Sequence, residues 1–130
     1  MTIRKIKGEF VVCQVSDLSG VDLASEFCFT GKTDEELSLV CKKEDVPKNT
    51  LAREDGWCMF RIEGVLDFSQ IGIIAKISGL LSEEKIPIFV VSTFNTDYFL
   101  VKQEHAENAL CILRQTGGYA IAAEEPAMKR

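Results

Sequence analysis

The hydrophobic period of the second half of the chain changes repeatedly, and the order of these changes constrains the fold more than any other feature. Short runs of β-forming apolar residues alternate with longer segments whose apolar side chains recur at helical spacing. The predicted strands are residues 57–63, 88–93, 98–102 and 119–123, and the predicted helices are residues 70–85 and 104–115. This β-α-β-β-α-β order is typical of ferredoxin-like α+β folds.

The first half of the chain repeats this plan in an abbreviated form. Its predicted strands are residues 10–15, 27–30 and 37–42. The segment between the first two strands is too short for a full helix, and a loop at residues 47–50 stands where a second helix is expected. We therefore expect a second unit of the same kind, reduced in its helices.

A weak repeat relates the two halves. The pair Thr33-Asp34 precedes a strand in the first half, as Thr96-Asp97 does in the second, and both strands run into a charged stretch that begins with a lysine. Aligning the halves in this way needs a gap of about three residues. A chance match between two amphipathic hairpins explains the repeat equally well.

Charge and composition argue against several classes of function. The 130 residues include 15 Lys and Arg against 20 Asp and Glu, which gives a net charge of −5. Binding to phosphate backbones or to anionic membrane surfaces needs clustered positive charge, so we expect neither a nucleic-acid nor a membrane partner. With no long apolar run and no signal peptide, a cytoplasmic protein is expected.

Candidate catalytic and metal-binding residues are few. The five cysteines are odd in number and form no Cys-x-x-Cys pair, and the single histidine, His105, lies in a charged stretch. The sequence contains no phosphate-binding glycine-rich loop and no zinc-protease, serine-hydrolase or EF-hand motif. We therefore expect reduced structural thiols, no cofactor or metal, and no catalytic activity.

The residues best placed to bind a ligand are the loop from Gly64 to Gly72 and the turn from Ser92 to Asp97. The loop leads into a helix N-terminus, whose unpaired backbone N–H groups bind a carboxylate, and Asp97 provides a counter-charge for an ammonium or guanidinium. Together they predict a zwitterion site. The alternative is ordinary fold chemistry, in which Asp67 or Ser69 caps the helix and the turn residues only close a hairpin.

Several stretches of the second half also carry a family resemblance. They are Gly56-Trp57, Gly64-Val65-Leu66-Asp67-Phe68-Ser69, Gly72-Ile73-Ile74-Ala75 and the run from Ile88 to Tyr98. The string Ser-Thr-Phe-x-Thr-Asp-Tyr, which follows an Ile-x-Ile strand, is the most specific of them. On these residues the chain resembles small stand-alone ACT proteins, a set that includes the arginine sensors of the CASTOR type.

The resemblance implies a fold and a function. The fold is a tandem pair of ACT (ferredoxin-like βαββαβ) units, with an abbreviated subdomain at residues 1–55 and an ACT domain at residues 56–130. The function is amino-acid binding between ACT units, without catalysis. Carried over to the matching positions, the resemblance marks Gly72, Ile73, Thr93, Phe94, Thr96 and Asp97 as ligand contacts, beside the loop residues Asp67 and Ser69. The sensors often have an aromatic residue at the position of Thr96, so arginine itself is not specified.

Three functions remain open from the sequence. The first is a non-catalytic regulatory module that binds an amino acid. The second is a protein–protein interaction module with a vestigial pocket, and the third is a regulatory fragment related to amino-acid kinases. For the ACT module we also expect a homodimer, because sheet edges tend to be paired or covered.

Overall fold

The computed structural model describes residues 1–63 and 72–122, and these form strands and helices in an α+β arrangement. The strands are β1 Thr2–Lys5, β2 Phe10–Val15, β3 Phe29–Lys32, β4 Leu37–Lys42, β5 Thr50–Glu63, β6 Phe89–Ser92, β7 Asp97–Lys102 and β8 Ala120–Ala122, and the α-helices are α1 Ile73–Glu83 and α2 Gln103–Gln115. The predicted elements of the second half are therefore all present, although β5 begins seven residues before the predicted start at residue 57.

The chain divides into two compact units. Residues Gly8–Trp57 form the N-terminal unit, and Met1–Lys7 together with the described residues from Cys58 onward form the C-terminal unit. Strand β5 is long enough to contribute its first residues to one unit and its last residues to the other. The predicted division at residues 1–55 and 56–130 did not include the contribution of Met1–Lys7 to the second unit and stays a prediction.

The C-terminal unit is a mixed sheet in the order β8-β1-β5-β7-β6. Alternate strand residues face helices α1 and α2, because only every second side chain of a strand points to the same face. Within this core the rings of Phe60 and Phe99 stack with centroids 5.2 Å apart. The fully buried residues here include Ile3, Phe60, Ile62, Ile77, Leu81, Phe99, Val101, Ala109 and Leu113. The predicted ferredoxin-like α+β fold is confirmed.

Strand β1 is the main addition to the predicted plan. It lies between β5, to which it is antiparallel, and β8, to which it is parallel. Its one fully buried side chain, Ile3, joins the core below the helices. A strand of four residues with a single buried side chain shows no hydrophobic alternation, so β1 could not be predicted from the sequence.

The N-terminal unit follows the same strand plan without its helices. Its order is β3-β4-β2-β5, with the first strand β2 between the third and fourth strands of the unit. The only helical segment described in this unit is a 3-10 turn, Lys43–Asp45. The abbreviated first unit is therefore confirmed, and its core is small: Val11, Cys13, Val15, Leu39 and Cys41.

The structure gives the repeat a different register from the one expected. Strands β3 and β6 start at Phe29 and Phe89, and β4 and β7 start at Leu37 and Asp97, so the hairpins correspond at a constant separation of sixty positions. Thr33 therefore matches Thr93, and the alignment of Thr33 with Thr96 was wrong. No gap is needed within this hairpin, because both copies have strands and turns of equal length.

Candidate functional site

The described part of the predicted site begins with the hairpin turn between β6 and β7. The backbone N–H of Thr93 donates to the carbonyl oxygen of Thr96 at 2.8 Å, and the Thr93 hydroxyl donates to the same oxygen at 2.9 Å. The Thr96 hydroxyl donates to the carbonyl oxygen of Ile62 at 2.6 Å. This last bond attaches the turn to the end of β5, immediately before the loop that leads to α1.

The side chains of this turn differ in exposure. Phe94 at the tip is fully exposed at 103%, whereas Thr96 and Asp97 are half-buried. Asp97 lies opposite Ser92 in the β6–β7 ladder. The exposed ring leaves the tip of the turn accessible to a ligand or a partner.

The N-cap residue of helix α1 is Gly72, in the left-handed conformation at φ +83°. Among residues 1–63 and 72–122, no side chain forms a capping hydrogen bond at this helix start. The first-turn N–H groups of such a helix attract anions through the positive end of the helix dipole. The predicted capping residues Asp67 and Ser69 lie outside the described residues.

A cavity of about 340 Å³, here called the α1 cavity, lies beside this helix start. Gly72, Ile73 and Lys76 form one wall, and Met1 and the segment Gly117–Tyr119 form the other. The Lys76 ammonium donates to the carbonyl oxygen of Gly117 at 3.2 Å and lies 5.1 Å from the centre of the Tyr119 ring. The lining therefore presents the Lys76 ammonium and an aromatic face, and its described residues include no carboxylate side chain.

Glycine is required on the far wall of the α1 cavity. A Cβ at Gly117 would lie 2.8 Å from the carbonyl oxygen of Leu113 and 2.9 Å from the ring of Tyr119. Burial raises the pKa of the Tyr119 phenol, so its hydroxyl is neutral at physiological pH. The close approach of backbone and ring at Gly117 sets the shape of this wall.

The structure places the predicted contact residues in two groups. Gly72 and Ile73 line the α1 cavity, and Thr93, Phe94, Thr96 and Asp97 form the hairpin turn, which is not among the described residues lining that cavity. The loop that runs from the end of β5 to α1 lies outside the described residues. Sequence reasoning missed Lys76 and Tyr119, although Lys76 follows Gly72 by one helical turn.

A group of charged side chains also lies near the end of β5. Glu63 Oε2 accepts from Arg4 Nε at 2.9 Å and from Arg61 Nε at 3.1 Å. Burial alone would raise the pKa of Glu63, but the hydrogen bonds and charges of the two arginines outweigh it and lower that pKa. Arg61 also lies 6.0 Å from the centre of the Tyr98 ring. This cluster holds β1 and β5 together ahead of the loop.

Within residues 1–63 and 72–122, no group of three or more His, Cys, Asp or Glu side chains is arranged to hold a metal ion. Neither of the two described α-helices is long and apolar enough to cross a membrane.

About half of the chain is similar in sequence to known proteins. Residues 52–115 match the family model of the ACT domain. The rat cytosolic arginine sensor for mTORC1 subunit 1 is 37% identical over 73 residues, which is 54% of this chain and 21% of the sensor. The human sensor is 37% identical over 60 residues, 45% of this chain and 18% of the sensor. The matched segment thus spans about a fifth of the length of these relatives.

Comparison with solved structures extends the similarity to nearly the whole chain. A crystal structure of an Agrobacterium tumefaciens protein aligns with a TM-score of 0.83 and 28% identity, over 99% of this chain and 97% of that one. The regulatory subunit of aspartate kinase from Thermus thermophilus aligns with a TM-score of 0.63 and 12% identity, over 87% and 95% of the two chains. At that identity the second alignment shows a shared fold alone.

Proposed function

Because the chain is an ACT-domain protein related to the cytosolic arginine sensors, we propose that it is a non-catalytic regulatory module that binds an amino acid. The relatives supply the functional class, since their name describes a sensor of an amino acid. The position of the ligand between ACT units, and a cytoplasmic location, belong to this proposal as well.

The observation that carries the proposal is the α1 cavity. It combines the start of α1, which no described side chain caps, with the Lys76 ammonium, and both attract a carboxylate. Tyr119 provides an aromatic surface on the opposite wall. An α-carboxylate is the group common to all amino acids, so this arrangement suits the class without selecting one member.

The hairpin turn is proposed to bind the other end of the ligand. Asp97 is the counter-charge for an ammonium or guanidinium group, and Phe94 covers the apolar part. The hydrogen bonds of Thr93 and Thr96 hold this turn in a fixed conformation. Preorganisation of this kind lowers the entropy cost of binding. Asp67 and Ser69 are proposed as further contacts from the loop.

A thermal-shift screen over the twenty amino acids tests the proposal. A ligand that binds only the folded state adds about 2.7 kcal/mol at a hundred times its Kd, which raises the Tm by several degrees. Lys76→Gln should remove most of that rise, whereas the exposed Lys48→Gln in the N-terminal unit should keep it. If none of the amino acids raises the Tm of the parent protein, the proposal is wrong.

The interaction-module alternative has one observation in its favour, which is the fully exposed ring of Phe94. It predicts no response to any amino acid and loss of partner binding in Phe94→Ala. The kinase-fragment alternative rests on fold similarity alone and gains no support from the site.

We also propose a homodimer. Among the described strands of the C-terminal unit, β6 pairs only with β7, so one edge of β6 is open to pairing. Light scattering at micromolar concentration should give twice the chain mass of 14.5 kDa. A monomer throughout the accessible concentration range would contradict this.

A further inference from the structure

Three of the five cysteines of the chain lie together in the N-terminal unit. Cys13 on β2 and Cys41 on β4 are buried members of its core, and the half-buried Cys28, just before β3, packs against the same core. All five cysteines are free thiols in the structure. The proposed amino-acid function uses none of them, so the arrangement of these three thiols is a separate feature of the molecule.

The strand register places Cys28 and Cys41 directly opposite each other. Phe29, the first residue of β3, pairs with Val40 of the antiparallel strand β4. One step further along the two chains, Cys28 comes opposite Cys41, and both side chains pack on the same core. Directly opposed residues of antiparallel strands have Cα atoms about 4.5–5.5 Å apart, which lies within the range that a disulfide spans.

Cys13 has a different position relative to Cys41. In the β2–β4 ladder Cys13 pairs with Leu39, and Val11 pairs with Cys41, so the two cysteines are diagonal neighbours. Diagonal neighbours lie about 7–8 Å apart, which is too far for a disulfide without movement of the backbone. The register therefore favours Cys28 as the partner of Cys41 and leaves Cys13 as a third thiol in the same core.

Contacts on either side fix the backbone at Cys28. Phe27 has a left-handed backbone at φ +57°, which is rare for an aromatic residue. Its ring packs edge-on against Phe10, with centroids 6.2 Å apart, and the Lys42 ammonium lies 5.9 Å from its centre. Phe29, on the other side of Cys28, is the first residue of the β3–β4 ladder. Cys28 therefore has a defined position at the start of β3.

We propose that Cys28 and Cys41 are a reversible oxidation site, which forms an internal disulfide when it reacts with a low-molecular-weight disulfide. In the first step the Cys28 thiolate attacks one sulfur of that reagent, which gives a mixed disulfide and releases one thiolate. The Cys41 thiolate then attacks the Sγ of Cys28 and releases the second thiolate. The two cysteines lose two protons and two electrons, and the reagent is reduced to two thiols.

Exposure and acidity set the order of these steps. Cys28 is half-buried, whereas Cys41 is 2% exposed, so the reagent reaches Cys28 first. Burial raises the pKa of the Cys28 thiol, and the charges of Asp22 and Asp45 raise it further. Burial also raises the pKa of Cys41, to about 12. Both thiols therefore react slowly, but the second step is intramolecular, and its high effective concentration favours the disulfide.

The test treats the folded full chain with 2-hydroxyethyl disulfide in a mildly alkaline buffer, alkylates the remaining thiols and digests the chain after Lys, Arg and Glu. This digestion separates Cys13 from Cys28, and the proposed bond joins residues 27–32 to residues 37–42 in the peptide mass spectrum. Dithiothreitol should reverse the bond. Cys41→Ala should retain the mixed disulfide at Cys28, whereas Cys13→Ala, the control within the same core, should form the same bond as the parent.

Three results with the parent protein would overturn the site. They are no peptide pair that joins the two segments, a bond between Cys13 and Cys41, or the same mixture of pairings that the chain gives when it is oxidised in urea. The parent digest is decisive even if a variant fails to fold. It also leaves the amino-acid proposal untouched, because none of these cysteines lines the α1 cavity.

Discussion

The two units share a strand plan and a hairpin turn, yet they differ in what covers the sheet. In the C-terminal unit two helices enclose a core that includes Phe60 and Phe99, whereas in the N-terminal unit short irregular segments cover a smaller core that includes two cysteines. The strand order is retained without the helices, so it does not depend on them. What the helices change is the surroundings of the sheet: the start of α1 lines a cavity in the C-terminal unit, whereas the described residues of the N-terminal unit include no α-helix.

The largest expected effect is in the helix-covered core. Phe99→Ala should destabilise the protein by about 3–5 kcal/mol, because it removes a fully buried ring that stacks on Phe60. Phe94→Ala in the same hairpin is the matched control and should change the stability little, since that ring is fully exposed. Urea denaturation measures both. Equal losses for the two variants would contradict the assignment of the core.

The next effect separates two glycines of the C-terminal unit. Gly117→Ala should destabilise by about 1–3 kcal/mol, because its Cβ would meet the Leu113 carbonyl oxygen and the Tyr119 ring. Gly79→Ala, within α1 and with no atom within 4 Å of the added Cβ, should stabilise by up to about 1 kcal/mol. Thermal denaturation of both variants checks the sign. A stabilising Gly117→Ala would show that the wall of the α1 cavity is looser than described.

A smaller effect concerns pH. The pKa of Glu63 is lower in the folded than in the unfolded state, so its ion pairs stabilise the fold above the unfolded value, about 4.3 for a free glutamate. That contribution is lost as the pH falls through the lower folded value. Urea midpoints at about pH 6 and about pH 3 should therefore differ less in Glu63→Gln than in the parent. Glu44→Gln, an exposed carboxylate of the N-terminal unit, should behave as the parent does.

The sequence predicted the helices and strands of the C-terminal unit because their periods are long and regular. It did not predict β1, which has a single buried position, or the first half of β5, where Arg53, Glu54 and Asp55 interrupt any apolar pattern. The charged residues fit a strand because Arg53 and Glu54 are exposed there and Asp55 is only half-buried. The hydrophobic period of a segment does not reveal a strand whose side chains are mostly exposed, because such a strand has no apolar face.

The sites were harder to predict than the fold. The turn from Ser92 to Asp97 was predicted as a site because its residues are contiguous, and Gly72 and Ile73 were predicted as contacts only through the family resemblance. The α1 cavity brings these two residues together with Met1 and the segment Gly117–Tyr119 from opposite ends of the chain, and only the sheet order determines that proximity.

The most direct test of the central claim compares the two equivalent turns. Asp97→Ala should lose most of the Tm rise given by the amino acid that the screen identifies, while its Tm without ligand stays close to that of the parent. Asp34→Ala, an exposed carboxylate in the corresponding turn of the N-terminal unit, should keep the full rise. An Asp97→Ala variant that responds as strongly as the parent, or that unfolds without ligand, would contradict the claim that Asp97 is a ligand contact.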